Sequence, residues 1–147
     1  MLGFSIGGGS MVADCDGCDS QSGVAADAHL GGMINPNLAI LWDGSVVAHT
    51  EQNLTLASTV SVGAIQYWIV PNVWLKGGLG FGRLSVSDDR SGTVAESDTA
   101  GAFLAAAGVE LMQSGNFALD GSVRFATVAY DQANVTNASV NIGFNWY

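Results

Sequence analysis

One acidic stretch, DCDGCD, holds both cysteines and is the most obvious candidate for chemistry. It places Cys15 and Cys18 among Asp14, Asp16 and Asp19. Two thiolates leave a tetrahedral zinc ion short of ligands, and both histidines fall in strand-like segments. A thioredoxin-like redox motif needs a βαβ context, which the sequence lacks. The three aspartates are a weak candidate for a divalent cation, because their spacing differs from the EF-hand order.

A second candidate is the run His49-Thr50-Glu51 at the edge of a polar segment. Hydrolases pair histidine with a serine or a carboxylate, and this run is the only cluster that partly resembles such a set. A solvated or hydrogen-bonded histidine at the rim of the fold explains it better. We therefore expect no enzymatic activity and no cofactor. The alternative, a lipid-modifying enzyme, would require an activity that disappears in His49→Ala.

The composition is unusual for a soluble domain of 147 residues. Charged residues make up only 12% of the chain, against about 25% in typical soluble domains. The net charge is −9, and the only cations are Lys76, Arg83, Arg90 and Arg124. Nucleic-acid binding and a polybasic membrane anchor both need clustered cations, so both are excluded. The length predicts a single domain over residues 1–147.

Neither a signal peptide nor a membrane helix is predicted. The first ten residues lack the charged region of a signal peptide, so either the chain is cytosolic or a signal has been removed. No charge occurs between Glu51 and Lys76, a length that could span a bilayer as a helix. This segment is rich in β-branched residues, and its apolar positions Leu54, Val60 and Val62 keep a period of two, which favours a strand.

Apolar and polar residues alternate along almost the whole chain, as they do in half-buried strands. The last ten residues, ASVNIGFNWY, show this most clearly, with Val140, Ile142, Phe144 and Trp146 on one face. Eight such segments can be counted. The alternation slips only around 64–68, where a β-bulge or a loose strand end would explain it.

The connections between these segments alternate between short turns and longer polar loops. The short turns lie at Asn35 to Asn37, Pro71-Asn72 and Ser114 to Asn116. The loops are Asp14 to Ser22, Thr50 to Asn53, Asp88 to Thr99 and Asp131 to Thr136. Turns at one end and loops at the other predict an all-β fold, an eight-stranded up-and-down antiparallel barrel.

The two faces of the segments differ in a way that indicates a transmembrane barrel. One face of nearly every segment is wholly apolar, whereas the other mixes glycine and serine with nearly every charge that lies within a strand. A soluble barrel would need a charged outer face, so we expect the apolar face to contact lipid, where a closed barrel pairs every backbone group. The opposite face then lines a lumen just wide enough for side chains.

Charged residues on the inward face should form a polar network, because unpaired charge in a narrow lumen is costly. The predicted members are Asp27, His29, Asp43, Lys76, Glu110, Asp120 and Arg124. We expect a plug of ion pairs; the alternative is a gated ion path or a proton site. Lys76→Met should then lower the thermal stability more than Arg90→Met does.

Aromatic residues near the strand ends predict interfacial girdles. At the short-turn end we expect them to be Trp68, Trp74, Phe117, Trp146 and Tyr147. A plain core position is the alternative for these side chains.

With these features the whole chain resembles the small eight-stranded barrels of bacterial outer membranes, the OmpA/OmpX type. The closing strand resembles the C-terminal signal read by the outer-membrane assembly machinery, with Trp146 on the outward face and Tyr147 on the other. The resemblance implies an outer-membrane location, contact with the lipid bilayer and lipopolysaccharide, and a monomer. In that oxidising compartment a disulfide between Cys15 and Cys18 is expected.

The resemblance and the acidic loops predict a structural role, or an adhesion or interaction role that presents Asp14–Ser22 and Asp88–Thr99. The alternative function is a narrow channel for ions or small solutes. Gly78, Gly80 and Gly82 support that alternative, because glycines on the inward face could leave water-filled space.

Overall fold

Nine β-strands make up the described part of the fold. A computed structural model of the chain describes residues 1–14, 20–51, 54–88, 92–130 and 134–147. The strands are β1 (Leu2–Ala13), β2 (Gln21–Asn35), β3 (Leu38–Glu51), β4 (Leu54–Val70), β5 (Val73–Asp88), β6 (Gly92–Glu96), β7 (Ala100–Ser114), β8 (Phe117–Ala129) and β9 (Asn134–Trp146). None of these residues belongs to a helix long and apolar enough to cross a membrane.

Eight of the nine described strands form a closed barrel. Each pairs antiparallel with its neighbour along the chain, and β9 pairs with β1 to close the ring. The predicted eight-stranded up-and-down barrel is therefore confirmed. β6 lies outside the ring and pairs with the last residues of β5, beyond the part of β5 that pairs with β7. The segment Asp88 to Thr99, predicted as a loop, thus contains a short strand that extends the sheet.

The barrel is staggered by ten residues. Pairing partners followed once round the ring from Leu2, through Trp42, Leu79 and Thr127, return to β1 at Val12. Stagger and strand number together set the width of a barrel, and eight tilted strands leave an interior that side chains fill. The architecture therefore requires inward residues to pack against each other across the lumen.

Three tight turns close one end of the barrel, which we call the short-turn end. They lie at Pro36-Asn37, Pro71-Asn72 and Gly115-Asn116. Gly115 has a φ of 59°, in the left-handed region that glycine adopts without strain. The Asn37 backbone N–H donates to Asn35 Oδ1 at 2.9 Å, as in an Asx turn. The longer connections lie at the opposite end, the loop end.

Burial alternates along the strands, so each strand has a lumen face and an outer face. Large apolar side chains such as Leu79, Phe81 and Phe125 are more than half exposed on the outside. Inward neighbours such as Arg124 and Lys76 are almost completely buried. An exposed apolar band around a closed barrel is the surface expected of a membrane-spanning one.

β4 explains why the alternation slips at 64–68. The pairing of β3 with β4 is continuous there, so the prediction of a bulge at these positions is wrong. The register shifts only between Trp68 and Val70, at the strand end. The slip arises because the polar face changes sides near Gly63: toward the loop end Val60 faces the lumen and the outer positions carry Thr and Ser.

The prediction of interfacial aromatics is wrong for Trp68 and Trp74, whose rings lie inside the barrel at 5% and 3% exposure. Tyr147 also turns inward, and its ring packs edge-on against Trp68 with centroids 5.8 Å apart. The inward rings bring polar N–H and O–H groups to buried acceptors, which a lipid-facing position does not offer. Phe117 and Trp146 lie on the outer side, with ring centroids 5.6 Å apart.

Candidate functional site

The middle of the lumen holds a network of buried charges centred on Asp43. Its carboxylate lies 2.9 Å from the Lys76 ammonium, and 2.6 and 3.3 Å from two nitrogens of the Arg124 guanidinium. Arg124 also lies 3.2 Å from the Asp27 carboxylate. β3 and β8 stand on opposite walls of the ring, so the contact between Asp43 and Arg124 crosses the lumen. Two carboxylates balance two cations, the arrangement in which buried charges are tolerated.

Neutral donors complete the hydrogen bonding of Asp27. The Ser5 hydroxyl donates to it from β1, and Asn141 Nδ2 donates from β9 at 3.1 Å. His29, two residues along β2 on the same face, places Nδ1 3.5 Å from Nζ of Lys76. The network therefore involves six of the eight barrel strands, and each contributes a side chain at its inward positions.

Asp27, His29 and Asp43 bring potential metal-ligand atoms within 4.8 Å of one another. Lys76 and Arg124 already contact both oxygens of Asp43. A divalent cation would have to displace these two charges and would be repelled by them. The arrangement is an ion-pair network, and its donor set does not fit a metal centre.

A second polar layer lies on the short-turn side of this network and contains Glu110 and Asp120. The Trp68 indole N–H donates to Glu110 Oε1 at 2.7 Å. Asp120 accepts the Trp74 indole N–H at 3.2 Å and Asn145 Nδ2 at 2.9 Å. Among the residues that the structure describes, neither carboxylate has a cation within 4.0 Å. Neutral donors, two of them indoles, hold these carboxylates.

An apolar layer fills the lumen on the loop side of the charges. Its members are Val60, Val62, Ala64, Ala102, Leu104, Ala126 and Val128. A smaller apolar cluster of Met11, Ala25 and Val47 lies nearer the loop end. The sequence reasoning missed both clusters because it took apolar residues to mark the lipid side. The parity of β4 carried the signal, since its upper apolar residues share a face with Gln66.

Inward glycines make room for side chains from other strands. A Cβ on Gly82 would meet Val128 at 2.3 Å, and one on Gly108 would meet the Trp74 ring at 2.3 Å. A cavity lined by Asp27 and its neighbours has a volume of about 10 Å³. That volume holds about one water molecule.

The seven residues predicted for the lumen all lie there, in two groups. Asp27, His29, Asp43, Lys76 and Arg124 form the central network. Glu110 and Asp120 form the polar layer on its short-turn side.

The acidic cysteine motif falls almost wholly outside the described residues. Cys15, Cys18, Asp16 and Asp19 belong to that stretch, so the disulfide and the weak cation site remain predictions. Asp14, the first residue of the motif, is exposed, and its backbone N–H donates to the Asn134 carbonyl at 2.8 Å.

His49 lies at the loop end, where its side chain is partly exposed. Its Nδ1 is 2.5 Å from the Ser22 carbonyl oxygen, and its Nε2 is 3.7 Å from a Glu51 oxygen. The contact with Ser22 ties β3 to β2 at the rim and gives the His49 side chain a structural role.

Comparison with known proteins shows the fold. No protein-family model and no curated protein matches the chain. Neisserial surface protein A (NspA) is 18% identical, with a TM-score of 0.74 over 99% of this chain and 96% of that one. Ail of Yersinia pestis is 15% identical, with a TM-score of 0.62 over 99% and 97%; it has also been solved with the heparin analogue sucrose octasulfate. The N-terminal β-barrel domain of Pseudomonas aeruginosa OprF is 11% identical, with a TM-score of 0.51 over 98% and 97%. The chain has the fold of these small outer-membrane barrels, as the sequence predicts.

Proposed function

We propose that the protein is a closed, non-conducting barrel of the bacterial outer membrane that presents its loop end as a binding surface. The observation that carries this proposal is the filled lumen. Asp43, Lys76 and Arg124 block its middle, and Leu104 with its apolar neighbours fills the part nearer the loops. A solute path needs continuous water, whereas the cavity beside the network has room for about one molecule. The barrel then serves as a rigid anchor.

The outer surface supports lipid as the first partner. In such barrels short turns face the periplasm and longer loops face the outside. Arg83 is the one outward-facing cation among the described residues, and its side chain is 54% exposed on the loop side of the apolar band. A guanidinium at this boundary suits the phosphate groups of lipopolysaccharide. We place lipopolysaccharide at this part of β5.

The chemistry of the loop end favours a basic partner. Exposed carboxylates at this end include Asp14, Glu51, Glu96 and Asp98. Only Arg83, 3.5 Å from Glu96, offsets them among the described residues there. Ail has been solved with a heparin analogue, which is a polyanion, but the charge of this surface argues against a polyanion here. β6 extends the sheet beyond the ring and enlarges the surface that a partner can contact.

Conductance tests the closed lumen. The wild-type barrel in a planar bilayer should show no discrete current steps. The matched control is a Leu104→Ala/Val128→Ala variant. It removes bulk from the apolar layer, leaves the ion pairs in place and so opens the lumen only partly. Discrete steps from the wild-type protein would contradict the closed lumen and favour the narrow channel.

Binding tests the display role. Vesicles carrying the barrel should adhere to an oligolysine surface and not to a heparin surface, and adhesion should weaken with salt. A Glu51→Lys/Glu96→Lys variant should reduce adhesion to oligolysine, whereas Glu110→Gln, inside the short-turn end, should not. Adhesion that changes neither with salt concentration nor with these substitutions would contradict an electrostatic display surface.

The remaining predictions belong to the same proposal. A monomer follows from an outer face that lipid can cover all round, and the contacts of His49 give no reason to propose an enzyme. The closing strand pairs with β1 along its whole length, with Trp146 outward. This supports recognition of the strand by the assembly machinery. Cross-linking in vesicles tests the monomer, and hydrolysis of lipid A by the wild type but not by His49→Ala would overturn the non-enzymatic role.

A further inference from the structure

The short-turn end carries an open cleft that the ion-pair network does not use. Its volume is about 420 Å³, within the usual range of small-ligand pockets, and barrel mouths are common places for such pockets. Met33, Pro36 and Pro71 give it an apolar rim, and Trp68 and Tyr147 form aromatic walls. Glu110 contributes a carboxylate to the lining.

Glu110 has an unusual environment for a carboxylate that is 3% exposed. Trp68 Nε1 and the Tyr147 hydroxyl donate to one oxygen, and Gln113 Nε2 donates to the other. All three donors are neutral, and no cation of the described chain lies within 4.0 Å of the carboxylate. Burying an ion without a counter-charge is costly, so this carboxylate favours a cation from outside.

We propose that the cleft binds an alkylammonium group. The ammonium would replace the Gln113 amide at the Glu110 carboxylate, turning a neutral hydrogen bond into a charge-assisted one. Gln113 is exposed and also lines the cleft, so it can move aside into solvent. The alkyl part would contact Met33, Pro36 and Pro71, and the aromatic walls would favour the positive charge.

Other ligand classes fit the cleft poorly. An anion would be repelled by the Glu110 carboxylate, and no Lys or Arg among the described residues that line the cleft offsets that repulsion. A hard divalent cation needs six or more oxygen ligands, and Glu110 is the only Asp, Glu, His or Cys that lines the cleft among the described residues. The ion-pair network closes the lumen on the loop side of the cleft. A bound cation would therefore occupy a terminal site and would not pass through the barrel. The proposal is therefore independent of the loop-end display role.

Butylammonium titrated into the barrel in nanodiscs tests the site, with 1-butanol as the uncharged control. The Trp68 indole N–H reports directly, and its NMR signal should shift saturably with butylammonium and not with butanol. Glu110→Gln keeps an acceptor for Trp68 but removes the charge, and should weaken binding by about tenfold or more. Equal shifts with butanol, or unchanged binding in Glu110→Gln, would overturn the site.

A second variant keeps the test decisive if Glu110→Gln fails to fold. Gln113→Lys changes an exposed residue and places an ammonium of the chain itself beside Glu110. It should fold, raise the melting temperature and abolish butylammonium binding, whereas Gln113→Ala should bind at least as tightly as the wild type. Undiminished binding of butylammonium to Gln113→Lys would contradict the proposal.

A blocked Gly-Lys-Gly peptide distinguishes the two sources of the ammonium. Binding at least as tight as that of butylammonium assigns the cleft to a lysine side chain of a protein. Binding of butylammonium alone assigns it to a free amine. Saturable binding of neither probe would contradict the site.

Discussion

Lys76→Met should lower the free energy of unfolding by about 3 kcal/mol, because it removes one charge from a balanced buried network. Lys76 Nζ lies 2.9 Å from Asp43, and both side chains are 1% exposed. Breaking a buried pair by removing one partner typically costs about 3–5 kcal/mol. Asp43 keeps its contact with Arg124, which places the loss at the lower end of that range. Methionine keeps most of the side-chain bulk, so packing contributes little to the loss.

The matched control is Arg83→Met. Arg90, the control that the sequence suggests, lies outside the described residues, whereas Arg83 is 54% exposed and 3.5 Å from Glu96. Exposed pairs contribute about 0–1 kcal/mol, so this variant should lose at most that amount. Urea unfolding in lipid vesicles, followed by tryptophan fluorescence, compares the midpoints at equal slope. Equal losses in the two variants would refute the network as a source of stability.

A double variant makes the same test sharper. Asp43→Asn combined with Lys76→Met removes one charge of each sign and leaves the pair of Asp27 and Arg124. Because the remaining charges balance, its loss should be smaller than the sum of the two single losses. Additive losses would show that the charges do not act together.

Two further variants test the packing of the lumen. Gly82→Ala should cost about 1–3 kcal/mol, because its Cβ would lie 2.3 Å from Val128, whereas Gly101→Ala, with no atom within 4 Å, should be nearly neutral; equal melting temperatures would contradict a filled lumen. Tyr147→Phe should cost about 1–3 kcal/mol, because the buried Glu110 loses a donor. Burial, and then the hydrogen bond to Glu110, raises the pKa of Tyr147 above its ordinary 10.0. The contribution of this hydroxyl should therefore be constant below pH 10 and fall as the pH rises further, and unfolding curves across that range check it.

The fold was predictable because its outer face meets one uniform solvent. Within the lipid-facing band, outward positions carry apolar side chains, so residues such as Ile6, Leu79 and Ile142 mark the outside of their strands without any knowledge of neighbours. The short turns were equally local, since Pro36-Asn37 and Pro71-Asn72 carry their own turn chemistry. These features need only the sequence within a few residues of each position.

The contents of the lumen were less predictable, because its two halves differ. Inward charges such as Asp43 and Lys76 stand out among small residues, and their burial follows from parity. Which charges pair depends on the stagger of ten residues, which no local pattern reveals. Val60 and Leu104 face inward where the lumen is apolar, so hydrophobicity alone assigns them to the wrong side. For the same reason the sequence predicts Trp68 at the membrane interface, whereas its ring lies in the lumen.

The inward tryptophans and the scarcity of cations are one feature of this barrel. Among the described residues four carboxylates are buried in the lumen, but only Lys76 and Arg124 are there to balance them. The other two carboxylates, Glu110 and Asp120, accept N–H groups from Trp68 and Trp74. An indole supplies a donor and also the bulk that seals the short-turn end, where a lysine would supply charge without sealing it. Glu110 is consequently held in place but not neutralised, which leaves the cleft beneath it suited to a cation.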